Sequence, residues 1–318
     1  MNKSISVVIP THNRRAHVLL AIESALHQTR EAVEVIVVAD GCTDGTADAI
    51  KGLTDERIVL LDLAKAPGFG WENRNEALRR ARGEVIAYLS DDDLWLPDHL
   101  QRIGELFDAE VADLVQANAC VVHPDGALEL SGLDWRVPAY RRRFVSNEEN
   151  RTPSSAISHV RGAAEAVGGW RTVAMDGDAD LWRRIVRSGA STAATMEPTV
   201  LFFGARRGTP EERERQAADY MAKLRDPLEL ARLRAEISRV GLQFEADTRH
   251  DLYERNDQHA ALHERFGEAL AELERLRERD ATLQRIENGG WWRLRQRLEP
   301  FKRVADAARL TPASRRRD

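Results

Sequence analysis

Val85-Ile86-Ala87-Tyr88-Leu89-Ser90-Asp91-Asp92-Asp93 carries an unbroken apolar run straight into three adjacent carboxylates. The run has the length and apolar character of a strand buried on both faces, as in a parallel sheet covered by helices. Similar runs from Ile5 to Ile9, Val33 to Val38 and Ile58 to Leu63 precede it. Between the first two, Val18, Ile22, Ala25 and Leu26 fall on one helical face, and Asn73 to Arg82 reads as a further helix ended by Gly83. This alternation predicts an α/β fold: a mostly parallel, Rossmann-like sheet flanked by crossover helices.

Working outward, the pattern from about Asp113 to Phe203 is mixed, with strands expected at Leu114 to Val122 and Thr199 to Phe203 and a helix from Ala179 to Arg187. After Arg206 the composition shifts to Glu, Arg, Ala and Leu with almost no glycine. The expected organisation is a catalytic-sized domain over 1–205, a helical and coiled-coil-like region over 206–287 and a basic amphipathic segment over 288–318. The chain of 318 residues has a net charge of -5, which argues against a nucleic-acid partner held by phosphate attraction. Its two cysteines, Cys42 and Cys120, and the lack of an apolar run long enough to span a bilayer predict a cytoplasmic protein with reduced thiols.

Three consecutive carboxylates at a strand end repel one another, and a divalent cation bridging them to a diphosphate offsets that repulsion. The alternative for Asp91 to Asp93 alone is a solvated acidic turn or a helix cap before Pro97. Neighbouring strand ends supply context. Pro10-Thr11-His12-Asn13 closes the first strand and Asp40-Gly41-Cys42-Thr43-Asp44-Gly45-Thr46 the second. Polar groups thus gather at the carboxyl ends of adjacent parallel strands, where such sheets bind ligands. Taken alone, the second stretch is equally a turn and helix cap.

In this order and spacing the chain resembles the inverting family 2 glycosyltransferases of the GT-A fold. The resemblance runs from Ser4 to about Phe203. Its blocks are Val7-Val8-Ile9-Pro10-Thr11-His12-Asn13-Arg14, Val37 to Thr46, Arg74-Asn75-Glu76-Ala77 with Arg82-Gly83-Glu84, and Ser90-Asp91-Asp92-Asp93. It implies that Thr11 and Asp40 hold the nucleoside of an NDP-sugar, UDP-linked by preference. It further implies Arg74 near the diphosphate, Asp91 near the ribose, and Mg2+ or Mn2+ on Asp92 with Asp93 as helper. A later stretch, Asp176-Gly177-Asp178-Ala179-Asp180-Leu181-Trp182, resembles the family's Glu-Asp-x-Asp-Leu-Trp block and implies Asp178 as general base, with Asp176 and Asp180 as rivals. Such a base takes the proton from an acceptor hydroxyl of a glycan, lipid-linked or protein acceptor as it attacks the anomeric carbon.

Ala39, Cys42, Ser90 and Gly177 depart from the family pattern. Those departures keep open a second class of function, a non-catalytic nucleotide-sugar-binding scaffold in a glycan-assembly complex. His159 and Trp170 each have two readings, a sugar or phosphate contact and a packed core residue. In the tail, Leu230, Leu233, Ile237 and Val240, and later Leu262, Phe266, Ala269, Leu273 and Leu276, step by three and four. Such stripes suit a coiled coil, including a homo-oligomer, or a helix packed back on its own domain. Residues 288–318 hold nine Lys or Arg against three acids. Beside the face of Trp291, Leu294, Leu298 and Phe301, they read as a peripheral membrane contact or as a docked helix.

Overall fold

Every apolar run of the N-terminal part becomes a strand, and the spacing between runs becomes helix. The computed structural model describes residues 2–241 except 111, 132–134, 136–137, 149–151, 174–175 and 204–208. Along the chain come β1 (Ile5–Thr11), α1 (Arg15–Leu26), β2 (Glu34–Asp40), α2 (Thr46–Lys51), β3 (Ile58–Leu63), α3 (Trp71–Arg80), β4 (Val85–Tyr88), β5 (Leu94–Trp95) and α4 (His99–Asp108). These are followed by β6 (Leu114–Val122), β7 (Leu128–Ser131), α5 (Pro138–Ser146), β8 (Ile157–Val160), α6 (Arg161–Ala166), α7 (Gly177–Arg187), β9 (Thr192–Phe202) and α8 (Pro210–Arg225).

Among the described residues nine strands form one sheet in the order β3-β2-β1-β4-β8-β6-β9-β5, with β7 on β6. β1 to β4 are mutually parallel, with Ser6 level with Glu34 and Ile5 level with Val85. Beyond them β8 runs antiparallel to both β4 and β6, while β9 is parallel to β6. The parallel half is the part whose strand ends carry the acidic and polar loops.

Alternation within each parallel strand divides its side chains between two cores. Val7, Ile9, Val35, Val37 and Val85 pack with Val18, Ala21, Ile22 and Ala25 of α1. Val8, Ile36, Val38, Ile86 and Tyr88 pack with Trp71, Ala77 and Leu78 of α3. Full burial of each branched side chain contributes about 1.5–3 kcal/mol, so a sheet covered on both faces is held far more strongly than its ladder bonds alone would hold it. The amino ends of the same strands are clamped by Glu34. Its buried carboxylate accepts from Ser6 Oγ at 2.6 Å, Arg82 N at 2.6 Å and Arg82 Nε at 2.9 Å. Gly83 follows because a Cβ there would come within 2.4 Å of the Ser6 amide nitrogen.

A third core joins Leu94, Leu96, Cys120, Leu201 and Phe203 to Ala217, Tyr220, Met221 and Leu224 of α8. Leu233 and Ile237, on a helix over 227–241, are buried in the same cluster, with Leu230 and Val240 packed against it. Of the two readings of that stripe, the structure therefore shows the helix packed on its own domain. The stripe from Leu262 and the basic segment over 288–318 lie outside the described residues. No helix among the described residues is long and apolar enough to cross a membrane.

Two buried histidines are held neutral. His159 donates from Nδ1 to the Val160 carbonyl at 2.8 Å and accepts the Tyr88 hydroxyl at Nε2, 3.0 Å away. It is packed between strands, the core reading of the two open from sequence. His99 stacks on Trp95 with centroids 4.2 Å apart and shares a 2.7 Å hydrogen bond with Thr199 Oγ1. Burial pushes His159 from 6.5 down to about 4 and His99 down to about 3. Below pH 6.5 the unfolded chain then binds more protons than the folded one. Unfolding free energy is expected to fall as pH drops from 6.5 toward these folded values, by up to about 1.4 kcal/mol per pH unit per histidine. Urea titrations from pH 7 to 4 check this, with His159→Asn removing one share of the slope.

Candidate active site

The loops after β1 and β2 are sewn to each other. His12 donates from Nδ1 to the Asp40 carbonyl at 2.7 Å, and Asn13, in the left-handed region at φ 52, accepts the Thr43 amide at 2.7 Å. Asn is one of the few side-chain-bearing residues that adopts this conformation readily. Beyond β3, the chain wraps round the buried Asp40 carboxylate. Asp40 accepts from Lys65 Nζ at 2.6 Å, the Ala66 amide at 2.8 Å and Asn73 Nδ2 at 2.7 Å. Burial by itself raises its pKa, but the Ala66 amide, Lys65 and Asn73 more than offset it and keep Asp40 below the ordinary carboxylate range. Lys65 Nζ also reaches the Ala66 and Gly68 carbonyls, at 2.9 and 3.2 Å. Gly70 is doubly required: its φ is 75, and a Cβ would lie 2.4 Å from Asp40 Oδ2.

The floor of the resulting cleft is the acidic turn after β4. Asp91 is 7% exposed and accepts from Thr11 Oγ1 at 2.7 Å and from Arg14 Nη1 at 2.9 Å. Burial, then the neighbouring Asp92 charge, raises its pKa, against the pull of Arg14 and Thr11. Asp92 accepts from the same Arg14 nitrogen at 2.7 Å. Asp93 behaves differently. It is fully buried, its Oδ2 accepts from Ser155 Oγ at 2.5 Å and its Oδ1 from the Phe203 amide at 3.1 Å. Asp93, expected as a metal helper, thus has both oxygens engaged in joining β4 to β9, and it is Asp92 that faces open space. A cavity of about 420 Å³ is lined by Thr11, His12, Asp40, Lys65, Arg74 and Asp91, among others. Thr11, Asp40, Arg74 and Asp91 are therefore brought together round one space.

Arg74 enters that space from α3. Its guanidinium carbon lies 4.2 Å from the Trp71 ring centroid and 5.1 Å from that of Trp170, and the two indoles are stacked 8° from parallel. Trp170 is 4% exposed, so of its two readings the packed one is observed. Arg74 Nη1 is buried with no hydrogen-bond partner among the described residues. Burial lowers the Arg74 pKa, and the fields of Asp178 and then Asp91 oppose that shift without cancelling it. A buried cation with a donor to spare, facing carboxylates, suits a polyanionic ligand.

Asp178 stands at the start of α7, where its carboxylate accepts the Ser154 hydroxyl. Of the rivals, Asp180 holds Arg171 at 2.6 Å and Arg184 at 2.9 Å, while Asp176 is the left-handed N-cap residue and makes no capping hydrogen bond through its side chain. Gly177 has a physical cause: a Cβ there would lie 2.5 Å from the Trp71 indole, so the larger aromatic occupies the space a side chain at 177 would need. Ser154 and Ser155 escaped the sequence reading. Ser155 accepts the Ser90 amide at 2.9 Å while donating to Asp93, so this pair links the Asp178 helix to the acidic turn. The one signal for them was a polar pair ahead of a short apolar strand. Arg14 ends the first of the resembling blocks, and the resemblance implies no role for it.

Residues 6–158 match the family model described as Glycosyl transferase family 2. The succinoglycan biosynthesis protein ExoO of Rhizobium meliloti (strain 1021) is 38% identical over 122 residues, 38% of this chain and 35% of that protein. WfaP of Escherichia coli, named as a UDP-Glc:alpha-D-GlcNAc-diphosphoundecaprenol beta-1,3-glucosyltransferase, is 36% identical over 92 residues, 29% of this chain and 36% of that protein. The matched stretch thus spans about a third of the length of these relatives. Among solved structures, S. aureus TarS 1-349 superposes with a TM-score of 0.52 at 18% identity, covering 76% of this chain and 72% of that one. At that identity the likeness concerns the fold.

The two glycine contacts are open to substitution. Gly177→Ala, which drives a methyl into the Trp71 indole, is expected to lower unfolding free energy by about 1–3 kcal/mol in urea titrations. Gly70→Ala adds left-handed strain to a clash with Asp40, and is expected to lower stability in the same titrations by more than Gly177→Ala does.

Proposed function

Because residues 6–158 match the Glycosyl transferase family 2 model, we propose that the chain is an inverting transferase. It moves a sugar from an NDP-sugar, UDP-linked by preference, to a hydroxyl of a glycan, lipid-linked or protein acceptor. The observation that carries this reading is the buried, unpartnered Nη1 of Arg74 beside a cavity lined by Thr11, Asp40 and Asp91. A neutral ligand would leave that cation unmatched, and a nucleoside diphosphate matches it.

In this reading Thr11 and Asp40 hold the nucleoside side of the cavity, Asp40 through the loop it organises, and Asp91 stands toward the ribose. Arg74 takes diphosphate oxygens and is kept in place by the two indoles. Asp178 accepts the proton of the acceptor hydroxyl as its oxygen bonds to the anomeric carbon and the bond to the diphosphate breaks. The Ser154 hydroxyl fixes the carboxylate for that task.

The residues at the acidic turn fit a divalent cation, because Arg14 Nη1 already shows one positive centre bridging an oxygen of Asp91 and an oxygen of Asp92. Asp92 is the principal ligand proposed for Mg2+ or Mn2+. When bound, the ion neutralises charge building on the leaving diphosphate. An acceptor attached to a lipid, of the kind named for WfaP, agrees with a peripheral position at the inner face of the cell membrane.

Asp178→Asn is expected to lower transfer by about 100- to 10,000-fold while leaving UDP affinity within about threefold, read by nucleotide release and calorimetry. Asp92→Ala or added EDTA should abolish turnover with every NDP-sugar that the wild-type protein uses. Full activity in either case overturns the mechanism.

A further inference from the structure

The acidic turn carries a cation of its own. A single nitrogen, Arg14 Nη1, lies 2.9 Å from Asp91 Oδ1 and 2.7 Å from Asp92 Oδ2. The usual arginine–carboxylate pairing sets two nitrogens against the two oxygens of one acid. Here one nitrogen is instead shared between two acids, and no other donor of Arg14 has a hydrogen-bond partner among the described residues. The position is that of a bridging point charge.

Arg14 is also placed to leave. Its side chain is 45% exposed, against 9% for Asp91 and 20% for Asp92. It lines both the nucleotide-sized cavity and a neighbouring cavity of about 600 Å³ bounded by Asn13, Arg15, His17 and Asp92. The carboxylates are fixed and the guanidinium has room. Asp91 is anchored by Thr11 and by burial, whereas Arg14 is attached at the start of α1 by a long side chain.

We infer that Arg14 is the resident counter-cation of the Asp91–Asp92 pair and exchanges with the divalent metal, leaving the two carboxylates as the ion arrives. The inference rests on the reading that a divalent cation binds at Asp92. Two adjacent carboxylates without a cation repel, so the metal-free site needs a substitute, and the substitute must compete with the metal it replaces. Arg14 thereby keeps the empty site in shape at the expense of metal affinity. It is a positioning residue for the acidic turn.

Mn2+ alone, titrated into the full chain and followed by the electron paramagnetic resonance of the free ion, tests the exchange. Arg14→Gln removes the competitor and is expected to bind Mn2+ about tenfold more tightly than wild type, with Arg14→Lys close to wild type. In EDTA, Arg14→Gln should melt at a lower temperature than wild type and should gain more on adding Mn2+. Side-chain nitrogen NMR of the wild-type protein gives a second measurement that needs no stable Gln variant. The Arg14 signal, assigned through Arg14→Lys, should shift with the same midpoint as Mg2+ binding. Metal bound by wild type with no gain in Arg14→Gln, or with an unmoved Arg14 signal, overturns the exchange alone. No metal bound by either protein overturns both the exchange and the metal reading beneath it.

Discussion

Three adjacent carboxylates at the end of a buried strand are a charge problem, and much of the fold is arranged round its solution. Asp91 draws Thr11 from the end of β1 and Arg14 from the start of α1. Asp92 shares that arginine. Asp93 turns inward to Ser155 and to the Phe203 amide at the end of β9. One turn is therefore fastened to the parallel half of the sheet on one side and to its mixed half on the other. Each carboxylate has a different set of partners, and these divide the three into a cavity-lining acid, an open acid and a structural acid.

The same logic of filled space explains one place where this chain leaves the pattern of the family whose model residues 6–158 match. Gly177 is not a lost side chain in isolation, since Trp71 occupies the room that one would take. Trp71 in turn stacks with Trp170 and backs Arg74, whose buried Nη1 has no hydrogen-bond partner among the described residues. One aromatic thus both fills the space beside Gly177 and backs the Arg74 guanidinium. Burying a guanidinium is costly unless its surroundings are polarisable or charged, and here they are both.

Small groups hold both the Asp40 loop and the Asp178 helix in place. The loop round Asp40 depends on Gly70 and Lys65, and the Asp178 helix depends on Ser154 next to Ser155. Ser155 also holds Asp93, so the Asp178 and Asp93 carboxylates are positioned by two adjacent residues.

Sequence alone determined the parallel half of the sheet, because runs such as Val85 to Leu89 are apolar at every position and only a strand covered on both faces accommodates that. It also determined that Thr11, Asp40 and Asp91 would meet, since parallel strands of similar length end on one edge. The rest needed the tertiary structure. Asp91, Asp92 and Asp93 are chemically identical in the sequence, and only the positions of Arg14, Ser155 and Phe203 separate them. Likewise the stripe from Leu230 to Val240 fits a partner helix or its own domain equally well, until the third core is seen to take in Leu233 and Ile237. Periodicity fixes which face of an element is apolar. What that face meets depends on contacts between residues far apart in the chain, which no local pattern encodes.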